Sequence, residues 1–399
     1  MLQPSNSSQV RVSNMRTLLM AIQAEGPISK RDLQQKTGLS WGSVSSLSAL
    51  LLQLGYIIQT GKQVTTAGRK PEELDINNND NYVVGIDVNF TGFSGVVTDL
   101  KGRVLREWMR EFSCTTYDSL LSSLFELLDE ILAAYATKTI LGIGLAVQGS
   151  VDTHNGISAW FPAVSGWHNV PLRDILTERY HLPVSLWHDP NCIMTAERAK
   201  GTPLMADAKD VLLIRLDHGI GMSIVSNGEL HLGANGEAGE ISHIVLDPNG
   251  PICDTCGNRG CLGVYAAGGC IAQRFAERTG ETDGITYHEI AQRAHQNDQN
   301  ALAVFHDMGE KMGQALSILY NLFNPELIVL YGEMCQHREL FLVPMQTCLQ
   351  EHLYRDIPAQ LVFSALGSNA AALGAAFMVV HETLNTLEFK GLDAPQKAI

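Results

Sequence analysis

Five apolar runs in this chain each end on an acid or a glycine, and that repeated pattern most restricts what the chain can fold into. YVVGIDVNFTG (82–92) reaches Asp87, TILGIGLAVQG (139–149) enters a glycine loop, and LPVSLWHDPN (182–191) ends at Asp189. VLLIRLDHGIG (211–221) and PELIVLYGEM (325–334) repeat the design further along. Helical periodicity fills 117–136 between the first two runs. Strands alternating with helices, with polar groups collected at strand ends, argue for two α/β lobes flanking a cleft. Gly142 and Gly144 resemble a dinucleotide loop only superficially, because no helix opens after them.

At 399 residues, 45% hydrophobic and 18% charged, the chain has core enough for two or three domains. Its apolar stretches fall short of the ~20 residues that a bilayer span needs. No charged segment followed by an apolar run opens it. The expectation is a cytoplasmic protein with no membrane insertion.

Charge separates the chain into a head and a body. Residues 1–71 carry eight Lys or Arg (Arg11, Arg16, Lys30, Arg31, Lys36, Lys62, Arg69, Lys70) against two acids, Glu25 and Asp32. The net charge of −14 therefore hides +6 on the head and −20 on the remaining 328 residues. A basic head on an acidic body suits a module that faces phosphate, although a solvated basic face would look the same.

The pattern within the head goes further. Asn14–Ala24 predicts an amphipathic helix through Met15, Leu18, Leu19 and Ile22, and GP (26–27) ends it. Ser29 with Asp32 predicts a capped second helix through Lys36; TGLS (37–40) predicts a tight turn. Ser40 would cap a third helix with Val44, Leu47, Leu51 and Leu54 on its buried face. Gly42, Ser45, Ser46 and Ala49, with Trp41 at the start, fall on the opposite face, where small side chains let a helix approach base edges in a major groove. A plain αα-hairpin accounts for the periodicity but not for residues 56–71. There YIIQT and QVTT around GK (61–62) read as a wing hairpin, and GRKP (68–71) presents Arg69 and Lys70 on extended chain suited to a minor groove. Residues 1–76 are thus expected to form a winged helix-turn-helix that binds double-stranded operator DNA, with NNNDN (77–81) as linker.

Eight cysteines are present, three of them (Cys253, Cys256, Cys261) within GPICDTCGNRGC. In a reducing compartment clustered thiols are more often metal ligands or redox groups than disulfides.

These residues resemble the ROK family, which contains sugar-responsive repressors and bacterial sugar kinases of the actin-like ATPase fold. The likeness runs from about Asn14 to the C-terminal region and is most specific in GANGEAGEISHIVLDPNGPICDTCGNRGC (233–261). The N-terminal module is similar to that of the repressor branch. The resemblance implies an α/β two-lobed sugar-kinase fold: a first lobe over 82–195, with a C-terminal helix at about 376–399 packing back on it, and a second lobe over 196–375. It also implies one structural zinc per chain, held by His243, Cys253, Cys256 and Cys261. Three thiolates and an imidazole independently make a closed tetrahedral shell. Two residues, Asp254 and Thr255, separate the first two cysteines where the family has one. A Cys253–Cys256 redox pair is the rival reading, and it leaves His243 and Cys261 unused.

The family's phosphate loop, Asp-x-Gly-Gly-Thr, reads DVNFT (87–91) here, so Asn89 and Phe90 replace both glycines. The second loop, Gly-Thr-Gly-Ile-Gly, reads DHGIG (217–221), and the paired glycines of the adenosine motif read YG (331–332). Side chains at these positions oppose close approach to phosphate. The expectation is a regulator of sugar transport or catabolism genes with no enzyme activity; the alternative is an ATP-dependent sugar kinase carrying a DNA-binding module.

By the same resemblance Asp189, Glu240 and His243 would face a sugar or sugar-phosphate effector, as carboxylates and imidazole suit hydroxyl groups. The alternative for Asp189 and Glu240 is a structural role. His188 stands where the kinases have Asn, Ala163 and Gly263 replace the family's Asn and Glu, and Ser242 replaces a Gly. The resemblance further implies a homodimer or homotetramer, and offers a transport-system protein as a second kind of controlling partner.

Overall fold

The structure is a computed structural model that describes residues 7–60, 64–65, 68–69, 72–111, 115–161, 164–205, 207–281, 284–355 and 359–387. The head begins with a helix, Ser7–Glu25, longer at its start than the apolar periodicity indicates. Met15, Leu18, Leu19 and Ile22 are its fully buried stripe. The second helix, Lys30–Thr37, is capped by Ser29, whose hydroxyl accepts from the Asp32 N–H, and it stops at Gly38, which takes a left-handed φ of 68°. Ser40 caps the third, Trp41–Gln53. Val44, Leu47 and Leu51 are buried as expected, but Leu54 sits at the C-cap and is 38% exposed, because the helix ends one residue before it.

The wing is built differently from the expected hairpin. Ile57–Thr60 pairs antiparallel with Glu73–Ile76 (Ile57 with Ile76, Thr60 with Glu73), and Ile28–Ser29 adds to the other edge of Glu73–Ile76. Val64–Thr65 pairs instead with Gly68–Arg69 as a separate small ribbon. The base of the wing buries Ile57, Leu74 and Ile76, and that burial selects the longer-range partner.

Each lobe contains a five-stranded sheet of the same design. In the first the order is Val184–His188, Thr139–Val147, Asn81–Asn89, Gly92–Asp99, Val104–Glu111. The first two junctions are parallel and the last two antiparallel. The second, read from the opposite edge, runs Glu229–Leu230, Ile220–Ser226, Val211–Leu216, Leu327–Tyr331, Leu361–Phe363, with two antiparallel and then two parallel junctions. The central strands Asn81–Asn89 and Val211–Leu216 therefore occupy equivalent places. So do the hairpin turns that follow them, one carrying Phe90 and the other His218. Sheets and flanking helices together have the two-lobed, actin-like sugar-kinase architecture.

The C-terminal helix starts at Ala370, earlier than the expected 376, and its described part ends at Thr386. Small residues permit this. A Cβ on Gly85 or Gly144 would come within 2.0 or 2.2 Å of carbonyl oxygens of this helix, and one on Gly374 within 1.7 Å of the Cys192 carbonyl. Glycine at these contacts lets the helix lie directly on the first sheet and against the helix Asp189–Lys200. The same helix reaches the head. Val380 and Leu384 share an apolar cluster with Met15, Leu18 and Ile22. Arg16 donates to the Leu387 carbonyl at 3.1 Å, Gln23 to the Leu100 carbonyl at 2.8 Å, and Lys101 pairs with Asp75 at 2.9 Å. The linker is pinned as well: Asn77 donates to the Gly55 carbonyl, and Asn78 accepts from Leu100 N–H. Among the described residues no helix is long and apolar enough to cross a membrane.

Candidate functional site

The strand ends of both lobes converge on a cleft of two chambers, about 1410 and 960 Å³. Asp87, Asn89, Tyr287 and Glu333 line the larger; Trp160, His188, Asp189, Glu237, Glu240 and His243 line the smaller. Phe90, Arg215 and His218 line both and so form the wall between them. The rings of Phe90 and His218, from equivalent hairpin turns of the two lobes, meet edge-on at 5.6 Å, and Phe90 also packs on Phe161 at 5.4 Å.

On the larger chamber's side the loops are satisfied by their own side chains. Asn89 Oδ1 accepts from the Thr91 N–H at 2.9 Å, the Gly92 N–H at 3.1 Å and the Thr91 hydroxyl at 2.8 Å, while its amide donates to Asp87. An Asx turn thus occupies the backbone donors of residues 91 and 92. Asp217 does the same across loops, accepting from the Glu333 N–H at 2.6 Å.

Asp189 is 2% exposed and forms an ion pair with Arg215, which also grips Asp217 at 2.7 Å; His188 lies 3.5 Å from its other oxygen. Asp87 lies in the same charge cluster, buried, with Oδ1 lacking a hydrogen-bond partner. Burial raises its pKa to about 6, against the pull of the Arg215 guanidinium. The surrounding carboxylates hold Arg215 firmly charged against the opposing effect of burial. Arg215 belongs to no spacing motif, although a lone arginine inside VLLIRL, two residues before an acid, is a signal that a buried strand contains a charge needing partners.

The smaller chamber keeps open groups. Glu240 precedes a short 3-10 turn, Ile241–His243, and both Glu240 and His243 line this chamber. The chamber walls desolvate that carboxyl and raise its pKa, while the His188 and His243 imidazoles pull it down. Glu237 accepts from the Ser150 hydroxyl of the first lobe at 2.9 Å, a contact across the cleft mouth. Ser242 and Gly263 face each other closely: a Cβ on Gly263 would stand 2.4 Å from the Ser242 hydroxyl.

His243 leads directly into the cysteine knuckle. The ligand atoms of His243, Cys253, Cys256 and Cys261 all lie within 4.8 Å of one another, with Cys256 Sγ to Cys261 Sγ at 3.5 Å and Cys253 Sγ to His243 Nδ1 at 3.8 Å. Two N–H bonds shape the loop, Cys253 to the Asn258 carbonyl and Gly257 to the Cys253 carbonyl. Gly260 has a φ of +63° and lies so close to the Asp247 carbonyl that a Cβ would meet it at 1.7 Å. The described cysteines are all free thiols. A tetrahedral shell with metal–sulfur bonds of about 2.3 Å separates neighbouring sulfurs by about 3.8 Å, so this arrangement fits a metal.

On the head, Trp41, Gly42, Ser46 and Ala49 are exposed and Ser45 is half-buried, all clear of the core stripe. The Arg69 side chain and Lys70 lie outside the described residues, as do Ala163 and Cys114.

The comparisons agree with this division. The ROK family model matches residues 83–382. The xylose repressor of Bacillus subtilis is 28% identical over 95% of this chain and 97% of its own length. The Escherichia coli transcriptional dual regulator NagC is 27% identical, covering 96% of each chain. A solved ROK family transcriptional regulator, a homologue of the E. coli MLC protein, superposes with a TM-score of 0.80 at 26% identity over 94% of this chain and 97% of its own. A ROK glucokinase from Streptomyces griseus, in complex with glucose and AMPPNP, superposes with a TM-score of 0.63 at 26% identity, but its 98% coverage spans only 74% of this chain. The regulators share both head and body with this protein, the glucokinase about three quarters of it. Fold, knuckle and match together place the chain in the ROK family.

Proposed function

We propose that the protein is a DNA-binding transcriptional repressor of sugar transport or catabolism genes, in which a sugar-kinase body serves as sensor rather than enzyme. The observation that carries this reading is a single chain with an open helix face on its basic head and a cleft partitioned by its own side chains. Phosphoryl transfer needs donor phosphate and acceptor hydroxyl in line across one space, and here Phe90, His218 and Arg215 line both chambers at the place where the two would meet. The loop donors are already occupied by Asn89, and Asp189 is held by Arg215 instead of being free to accept a proton. The family names of the relatives, xylose repressor and regulator NagC, support the same reading.

In this account Trp41, Gly42, Ser45, Ser46 and Ala49 face the major groove, with Arg69 and Lys70 reaching the minor groove. A sugar or sugar phosphate enters the smaller chamber against Glu240, His243 and Asp189. The metal is zinc, held by His243, Cys253, Cys256 and Cys261; when bound it stiffens the knuckle and fixes the turn that presents Glu240. Self-association of two or four chains sets two heads on half-sites about 34 Å apart. Leu322 and Tyr354, 73% and 83% exposed and linked through Asn321, offer an apolar face for it. The test is an operator titration with a panel of sugars and sugar phosphates. The reading holds if one of them shifts the operator Kd, and the effector half fails if none does. Release by lysate alone, with capture of a transport protein, would favour control by a partner.

A further inference from the structure

Beside the larger chamber and away from the cysteine knuckle, the second lobe gathers three imidazoles and two carboxylates on adjacent elements. The helix Tyr287–His295 contributes His288 and His295, seven residues apart and so nearly two full turns, which places them on one face. The 3-10 segment Glu333–Leu340 contributes Glu333, His337 and Glu339. His337 sits at the one break in that segment (φ −108°, ψ 23°), between the two helix histidines. Its Nε2 is 3.3 Å from His288 Nδ1, and its ring centroid is 5.7 Å from that of His295. Each helix histidine also meets a carboxylate: His288 Nε2 lies 3.3 Å from Glu333, and His295 Nε2 3.3 Å from Glu339.

The ligand atoms of His295, His337 and Glu339 all lie within 4.8 Å of one another. We infer that these three residues bind a divalent transition metal of the zinc, nickel or copper class, with His288 and Glu333 beside them to complete or support the shell. Two imidazoles and one carboxylate suit such ions, whereas calcium and magnesium take oxygen donors. The superficially similar group His306, Asp307 and Glu310 differs in a decisive way. It stands on one helix face, and Arg274 and Arg278 already occupy Asp307, at 3.2 and 2.8 Å.

The position gives the metal a consequence. Tyr287, His288 and Glu333 line the larger chamber, and Glu333 N–H is the donor that Asp217 caps. A metal tying the helix to the segment after Leu327–Tyr331 would stiffen the outer wall of that chamber.

Cobalt(II) distinguishes this site from the cysteine knuckle. Thiolate ligation produces a strong near-ultraviolet charge-transfer band, and a nitrogen–oxygen site shows only weak visible bands. Full-length protein stripped of metal and titrated with cobalt should take up two equivalents, one with and one without the charge-transfer band. His337→Ala and Glu339→Gln should each weaken the second equivalent by about tenfold or more and leave the first intact. Cys256→Ala should do the reverse. Saturation of the wild type at one equivalent, or a second equivalent that survives both His337→Ala and Glu339→Gln, would overturn the assignment.

Discussion

The two chambers of the cleft are separated by one wall, yet they differ in what their loops leave unpaired. Around the larger, the side chains that replace the family's glycines have become the ligands of the loop: Asn89 takes the donors of residues 91 and 92, and Asp217 takes that of Glu333. Around the smaller, Glu240 and His243 remain open to the cavity beside a knuckle that fits a metal. The contrast teaches that a chain can keep such a hairpin and satisfy its backbone donors from within, through the oxygen of a carboxamide or carboxylate.

The largest effect that would break the comparison lies at Arg215. It is the cation common to Asp87, Asp189 and Asp217, so Arg215→Ala leaves buried carboxylates without compensation and should cost about 3–5 kcal/mol in urea unfolding. A loss below about 1 kcal/mol would mean that the wall does not depend on the guanidinium. The smaller chamber has its own weak point in the knuckle. Cys256→Ala should release the metal and destabilise the second lobe by about 2–4 kcal/mol, read by metal analysis and thermal melting, and should abolish any effector response.

Asp87 sharpens the comparison through pH. The folded protein holds its proton more tightly than the unfolded chain, with a pKa of about 6 against 3.8. Stability from this group is therefore present below about pH 4 and is lost as pH rises through about 6, a penalty on the order of 3 kcal/mol at neutral pH. Asp87→Asn should recover about 1–3 kcal/mol at pH 7.5 and flatten the stability profile between pH 4 and 6. An unchanged profile would place the unfavourable charge elsewhere. The smallest effect is expected far from both chambers. Ser46→Ala, on the exposed helix face, should weaken operator binding by a few-fold, within about 1 kcal/mol, without changing unfolding or the salt dependence, because no phosphate contact is lost.

Much of this is legible in the sequence where local chemistry decides. Ser29 and Ser40 cap helices because their hydroxyls reach N–H groups three residues on, and the thiol spacing announces a knuckle whatever surrounds it. The replacement of glycines by Asn89 and Phe90 is visible in the sequence; which amides Asn89 then occupies depends on the turn that the strand pair makes there. Long-range partners are not legible. Ile57–Thr60 passes over the nearer ribbon to pair with Glu73–Ile76, because burial of Leu74 and Ile76 outweighs proximity. The meeting of Phe90 with His218 depends on how two lobes face each other, which no local pattern encodes. The C-terminal helix starts at Ala370 because glycines 85, 144 and 374 admit it, a fit between distant segments.

The central claim is that nucleotide no longer settles in the larger chamber. Calorimetric titration of magnesium–ATP into the full-length protein, with and without a hexose, tests it most directly. No saturable heat up to millimolar nucleotide and no sugar phosphate are expected. Saturable binding in the micromolar range, or turnover of any hexose, would contradict it.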